Sequence, residues 1–357
     1  MLMVIFGAGA SYDSDARRPA GETTPHTSRP PLTEHLIDER HRRIANEYPA
    51  SLSVIDYVQQ NLADGTTPDS LETILARYAA RAENSAACRQ ALLMFRFYLC
   101  RLITNSTDEW LRETSGLTIY LTLLNQLLEW QETSDERVQL VTFNYDTLLE
   151  DAAGRVIPDW QIAGFTDYVA RTDWGLLKLH GSINWSRVAN PPDQAAGESN
   201  ANRALAAANL AHAGNLPLRV QNATLAGMQS PSNPGSLPTG NDDVLFPAIA
   251  VPMADKATFE CDDIQVEAFK STVPEIRRLL VCGWRAAEAH AIQILQDIYP
   301  GFYLGIVTGG QPDLAHVQGN LGDVYRKGKL VLTQTDGMAA FAQNMKQQLA
   351  PLLVPWD

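Results

Sequence analysis

Six short, largely apolar runs break off at a glycine or a polar residue, and this pattern limits the folds open to the chain. They are "MVIFGAGAS" (3–11), "VQLVTFNYD" (138–146), "WGLLKLHGS" (174–182), "IRRLLVCGW" (276–284), "FYLGIVTGG" (302–310) and "GKLVLTQT" (328–335). A strand with one wet face alternates apolar and polar residues, whereas a strand covered on both faces does not. Runs of this kind, separated by helical periodicity, predict an α/β fold with a Rossmann-like, doubly wound parallel sheet. Ligands of such sheets sit at the carboxyl ends of the strands, which is where these runs change character.

The stretch between the first and second runs is helical in pattern. Apolar residues recur at helical spacing over 52–63, 70–82, 86–103 and 117–131, which predicts an inserted helical subdomain over about 34–135. The segment 12–32 is rich in proline, threonine, serine and charge and reads as a mobile or ligand-ordered loop. Over about 187–242 asparagine, proline, alanine, glycine and serine dominate and aromatic residues vanish. That segment reads as a low-complexity loop with an Ala-rich helix at 203–212. "DVLFPAIAVP" (243–252) returns to strand character, and helices are expected at 286–298 and 337–353. The expectation is one domain over 1–357 without internal repeats.

Composition removes several function classes. The 357 residues are 45% hydrophobic, enough for a sizeable core. With 28 basic and 41 acidic residues the formal charge is −13, so a polyanion is repelled on average and direct nucleic-acid binding is not expected. Arg40, Arg42 and Arg43 read as a solvated helix face. The cysteines at 88, 100, 261 and 282 form no C-x-x-C pair, so no zinc ribbon or thioredoxin-type motif is present and no metal is expected. Scattered thiols suit a reducing cytoplasm. The opening residues lack the basic and apolar regions of a signal peptide, and no apolar run reaches the roughly 18 residues of a membrane span.

The strand ends hold the residues that could do chemistry. Gly7, Ala8 and Gly9 follow the first strand. Glycines there permit a tight turn and close approach of the backbone to a pyrophosphate, or serve only as a small-residue turn. The G-x-G-x-x-G fingerprint fails at Tyr12, and no acidic residue follows at the spacing of a hydride-transferring Rossmann domain. Asn144 and Asp146 follow the second strand. Asp146 is also a candidate helix cap, and Asn144 a candidate turn residue. His180 ends the third strand, as a base or as a core histidine with its hydrogen bonds satisfied.

Taken together, "GAGAS", "TFNYD", "LKLHGSINW" and "LLVCGW…AEAHAIQIL" resemble the sirtuin-like family, nearest its bacterial antiphage-defence branch, which hydrolyses NAD. The matching blocks run from Phe6 to about Leu295. The resemblance implies an NAD hydrolase that cleaves the nicotinamide–ribose bond, with NAD as substrate. Gly7, Ala8, Gly9 and Ser11 would line the pyrophosphate and ribose, and Phe143 would border the dinucleotide. Asn144 would touch the nicotinamide ribose and place the attacking water. Asp146 would stand near the carboxamide, and His180 would be the catalytic histidine. Gly283, Trp284, Thr308 and Gly309 would lie toward the adenosine.

The resemblance also implies an abortive-infection effector held off until triggered. Only about 45 residues follow "VTGG", too few for a sensor domain, so sensing is expected in a homo-oligomer or in a protein partner such as a translocase-type ATPase or an Argonaute-like protein. The chain departs from the family in three places. It lacks the two C-x-x-C pairs of deacylating sirtuins. Its phosphate loop does not end in Asp-Phe-Arg; Pro30, Pro31 and Leu32 stand there, similar to a Pro-Leu of the defence branch. Gly283-Trp284-Arg285 and His290 replace that branch's Gly-Tyr-Ser and later Asp. An NAD-dependent protein deacylase and a non-enzymatic NAD- or ADP-ribose-binding module are the competing readings.

Overall fold

The computed structural model describes residues 1–15, 29–63, 70–189, 209–210, 216–221, 244–253 and 259–355. The chain divides into two compact units. One comprises 1–32, 106–181 and 257–357, and the other 33–105 and 182–256.

The first unit is built on a six-stranded sheet. Its strands are β1 (Leu2–Phe6), β2 (Val138–Thr142), β3 (Trp174–Lys178), β7 (Arg278–Cys282), β8 (Tyr303–Val307) and β9 (Lys329–Gln334). They lie in the order β3-β2-β1-β7-β8-β9, with every pairing parallel. The six runs singled out in the sequence are these six strands, and the sheet is Rossmann-like. Every residue of β1, β2, β3 and β7 is buried, which is why those runs read as apolar without alternation. The order grows outward from β1 in both directions, so the topological switch point falls between β1 and β7.

The second unit holds the helices Leu52–Ala63 and Leu71–Ala82, the first part of the helix Ala86–Glu113, and a three-stranded sheet. That sheet has the order β5-β4-β6, from Gly181–Ala189 (β4), Leu218–Arg219 (β5) and Val244–Ile249 (β6). The strand expected at 243–252 therefore exists but belongs to this small sheet. Within this unit Phe97 stacks on Tyr48 and meets Phe246 edge-on.

Some expected elements differ in extent. The helix expected at 86–103 continues to Glu113, and that at 117–131 is Ile119–Ser134 with Thr118 at its cap. The C-terminal helix is two short ones, Gly337–Gln343 and Met345–Leu349, because Asn344 at φ −132°, ψ 31° leaves the helical region. The helix of 286–298 spans Ala289–Leu295 only, since Ala286 has φ +54°. Helices Asp263–Thr272 and Gln311–Leu321 lack a clear apolar stripe in sequence and were not anticipated. Of the loop expected at 12–32, residues 16–28 lie outside the described residues, as do most of 187–242 and all but 209–210 of the Ala-rich helix.

At the switch point the ends of β1 and β7 touch backbone to backbone. Gly7 N–H donates to the Cys282 carbonyl at 3.0 Å, and Gly9 N–H to the Gly283 carbonyl at 3.1 Å. A Cβ on Gly7 would stand 2.5 Å from Trp284 Cα, and one on Gly283 2.2 Å from Ala10 N. Gly283 also has φ +57°, a region that costs other residues about 1–2 kcal/mol before any clash. Replacement Gly283→Ala is therefore expected to lower unfolding free energy by at least about 2 kcal/mol, combining left-handed strain with the overlap. Urea denaturation measures this, and an unchanged midpoint would contradict the close approach.

Candidate functional site

The parallel register places the strand ends in one row. Phe6 pairs with Thr142 on one side and Cys282 on the other, Thr142 pairs with Lys178, and Cys282 with Val307. One residue further on stand Gly7, Phe143, Leu179, Gly283 and Thr308. Their N–H groups continue the ladder to Cys282, Phe6, Thr142, Val307 and Gln334 carbonyls respectively. The next row is Ala8, Asn144, His180, Trp284 and Gly309. All the candidate residues except Gly9, Ser11 and Asp146 thus lie in these two rows at one edge of one sheet.

Asn144 is the most constrained of them. It is 6% exposed. Its Nδ2 donates to the Gly7 carbonyl at 3.0 Å and Ser11 Oγ at 2.9 Å, and reaches the Tyr120 hydroxyl at 3.3 Å. A carbonyl cannot donate, so Gly7 fixes which end of the amide faces it. The Oδ1 atom then points elsewhere, buried and without a partner. A buried acceptor left unsatisfied costs about 1–3 kcal/mol, so this oxygen is suited to a donor from outside the protein. Ser11, 2% exposed, shares a 2.7 Å hydrogen bond with Tyr120. Burial, reinforced by the nearby Asp146 carboxylate, pushes the Tyr120 phenol well above its usual range, so it keeps its proton.

His180 closes a ring of four side chains. Its ring meets Phe143 edge-on at 4.9 Å, and Phe143 lies flat on Trp284 at 4.8 Å. Trp284 Nε1 donates to Glu288 Oε2 at 2.6 Å, and Glu288 Oε1 stands 3.9 Å from His180 Nε2. Phe143 and Trp284 leave strands on either side of β1. Between them β1 is followed by Gly7, which has no side chain to obstruct the stack. Tyr145 stacks on the imidazole at 6.4 Å, and Gly181, at φ +85°, turns the chain directly after it.

Asp146 precedes the helix Leu148–Val156, whose N-cap is Thr147, so it is not the cap itself: its Oδ1 accepts from Leu148 N–H at 3.1 Å, an Asx turn leading into the helix. Its carbonyl and Glu150 Oε1 both accept from Lys178 Nζ, the latter at 2.6 Å. Lys178 is fully buried at the end of β3. Burial pushes the Glu150 carboxyl up, against the pull of the Lys178 ammonium. This ion pair ties the Asn144–Glu150 segment to the strand that carries His180.

The glycine turn is used differently from a pure phosphate cradle. The N–H groups of Gly7, Gly9 and Ala10 are spent on Cys282, Gly283 and Gly7 carbonyls, while Ala8 is exposed. The glycines allow first a close approach of protein backbone, so the sequence reading of a backbone open to pyrophosphate narrows to the turn's exposed tip. Thr308 is buried and its Oγ1 donates to the Gly310 carbonyl at 3.1 Å, with Gly309 exposed beside it. These two residues directly follow β8, four strand steps from β3 and about 19 Å along the sheet.

Sequence reasoning missed Tyr120, Glu288, Lys178 and Glu150. The first comes from a helix distant in sequence from the strand ends, and nothing in "LTIYLTLL" marks it. Glu288 carries a visible signal, an acidic residue five positions after Gly283 at a helix start. Lys178 was visible as a charged residue inside an apolar run. Among the described residues no group of three or more histidine, cysteine or acidic side chains could hold a metal ion, and no helix is long and apolar enough to cross a membrane.

No family model matches the chain, and no curated protein matches it in sequence. Among solved structures, the chain is similar to Sir2 in complex with an inhibitor, 2'-O-acetyl-ADP-ribose and a deacetylated peptide. That alignment has 12% identity, TM-score 0.40, and covers 98% of this chain and 94% of that one. A Sir2 homolog–NAD complex aligns with 12% identity and TM-score 0.39, over 99% and 90%. A mutant Sir2 homologue with ADP-ribose aligns with 12% identity and TM-score 0.40, over 100% and 94%. At these scores the likeness adds nothing to what the strand order already states.

The Lys178 tie is open to test. Lys178→Met keeps the length of the side chain and removes the charge, leaving the buried Glu150 carboxylate and the Asp146 carbonyl without their donor. A loss of about 3 kcal/mol in unfolding free energy is expected for breaking such a pair. Urea denaturation at neutral pH checks it, and wild-type stability would contradict the assigned network.

Proposed function

We propose that this chain binds NAD along the carboxyl edge of its six-stranded sheet and hydrolyses the nicotinamide–ribose bond. The observation that carries the reading is the buried, unpartnered Asn144 Oδ1, held by a fixed amide in the same register row as His180. An oxygen of that kind suits a hydroxyl or water donor, and both are present where a ribose is cleaved by water. The row is long enough for an extended dinucleotide, with His180 toward one end and Thr308 and Gly309 toward the other. The sirtuin-like motifs and the NAD and ADP-ribose named in the similar structures are consistent with this and do not carry it.

The chemistry asks little of the protein beyond placement. In NAD the C1'–N bond breaks with its electron pair moving to the pyridinium nitrogen, so nicotinamide leaves neutral and needs no acid. Charge develops on the ribose. Asn144 Oδ1 orients the ribose hydroxyl or the attacking water. The water oxygen bonds to C1', and its proton passes to the His180 imidazole and then to solvent. Glu288 stabilises the imidazolium so formed, and Asp146 adds negative potential near the cationic centre. The products are nicotinamide, ADP-ribose and a proton.

Such an activity drains a central metabolite, so its control belongs to the same reading. A separate sensor protein or self-association would hold it off, in keeping with an antiphage effector. The test is nicotinamide release from NAD, followed by chromatography, with the protein alone and with the product of a neighbouring gene. Asn144→Ala and His180→Ala are each expected to lower release by at least about a hundredfold while keeping the wild-type circular dichroism. Full turnover by both variants would overturn the assignment. Nicotinamide release that depends on an acyl-lysine peptide would replace hydrolysis by deacylation.

A further inference from the structure

We infer that Tyr120 is a positioning residue for the reaction: its hydroxyl, paired with Ser11, holds the Asn144 amide so that Oδ1 faces the substrate. This rests on the reading of Asn144 given above and adds a residue from outside the strand ends.

The geometry assigns the role in three steps. Asn144 Nδ2 has two hydrogens and three acceptors within reach: the Gly7 carbonyl, Ser11 Oγ and the Tyr120 hydroxyl. Gly7 accepts one hydrogen and settles the flip. The second goes to the Ser11–Tyr120 pair, which lies on the other side of the Nδ2 atom and stops the amide from rotating about its bond to Cβ. With the Tyr120 hydroxyl removed, that second hydrogen keeps only Ser11 Oγ, which has itself lost the 2.7 Å partner that holds it in place.

Tyr120 is itself held from several directions. Its ring meets Phe6 of β1 edge-on at 5.3 Å. The start of its helix is tied to the chain that follows the glycine turn. Ile119 N–H donates to the Ser14 carbonyl at 2.7 Å, Asp15 and Thr118 form an isolated bridge, and Trp110 Nε1 donates to Ser14 Oγ at 2.8 Å. The hydroxyl position is therefore set by the central strand and by the segment leaving the glycine turn together. A fully buried phenol costs desolvation, and its partners here are Ser11 and Asn144. An apolar phenylalanine would fill the same space against Phe6 without that cost. The hydroxyl serves the Asn144 amide.

The test is Tyr120→Phe, which keeps the ring on Phe6 and removes one oxygen. Steady-state NAD cleavage is expected to show kcat lower by about tenfold, the order of one hydrogen bond, with KM within about twofold and the urea midpoint not lowered. A residue that only filled space would leave kcat unchanged, and that result overturns the role. A second measurement does not depend on catalysis. In protein labelled with 15N at asparagine, the Asn144 side-chain amide resonances, assigned by their loss in Asn144→Ala, are expected to shift in Tyr120→Phe. If neither the wild type nor any variant cleaves NAD, alone or with the product of the neighbouring gene, but the resonances shift, the hydrolase reading fails and the positioning contact stands. If they stay in place, the positioning role fails whatever the activity.

Discussion

The close passage of β1 and β7 beyond their last paired residues is the constraint on which the rest of the site depends. Two N–H···O bonds join Gly7 to Cys282 and Gly9 to Gly283, and no side chain fits between the two backbones. Because that gap is filled by main chain, the Gly7 carbonyl is presented to Asn144 on one flank. The Phe143 and Trp284 rings meet above it. A Cβ at 7 or 283 would push these strands apart and separate the two halves of the row. Stability and site geometry are thus set by the same contact.

Around it the polar groups form two nests of different character. Asn144, Ser11 and Tyr120 make a neutral cluster in which every side-chain nitrogen and oxygen has a hydrogen-bond partner except Asn144 Oδ1. Lys178, Glu150 and the Asp146 carbonyl make a charged cluster that braces the segment following β2. The first leaves an oxygen for something outside the chain. The second leaves its charges paired, and removal of one member exposes the other to the full cost of burial. His180 belongs to neither. Its ring meets Phe143 edge-on and stacks with Tyr145, and Glu288 Oε1 stands 3.9 Å from its Nε2.

Much of this was legible in the sequence, for local reasons. "MVIF", "VQLVT" and "RLLVC" could only be strands covered on both faces, and a residue next to such a strand end is at the carboxyl edge of the sheet wherever the strand finally lies. Asn144, His180, Gly283 and Trp284 could be placed on that basis. That Asp146 would bond the start of the following helix was also readable, because its partner lies two residues away, although the cap position itself falls to Thr147. Less legible were the limits of helices such as 337–353, where one residue, Asn344, leaves helical geometry, and the weakly patterned helices 263–272 and 311–321.

By itself the sequence determined that the chain makes a parallel α/β sheet and that its polar residues of interest gather at one edge. Periodicity and strand-end chemistry are properties of neighbours along the chain, and neighbours are what a sequence displays. The tertiary structure alone decided that Gly7 and Gly283 serve each other, that Glu288 faces His180, and that Tyr120 reaches Asn144 from a helix twenty-four residues earlier. Those contacts depend on strand order, on register and on the direction each side chain takes after burial. None of these is encoded by spacing, because hydrogen bonds at about 3 Å are fixed only when separate elements pack.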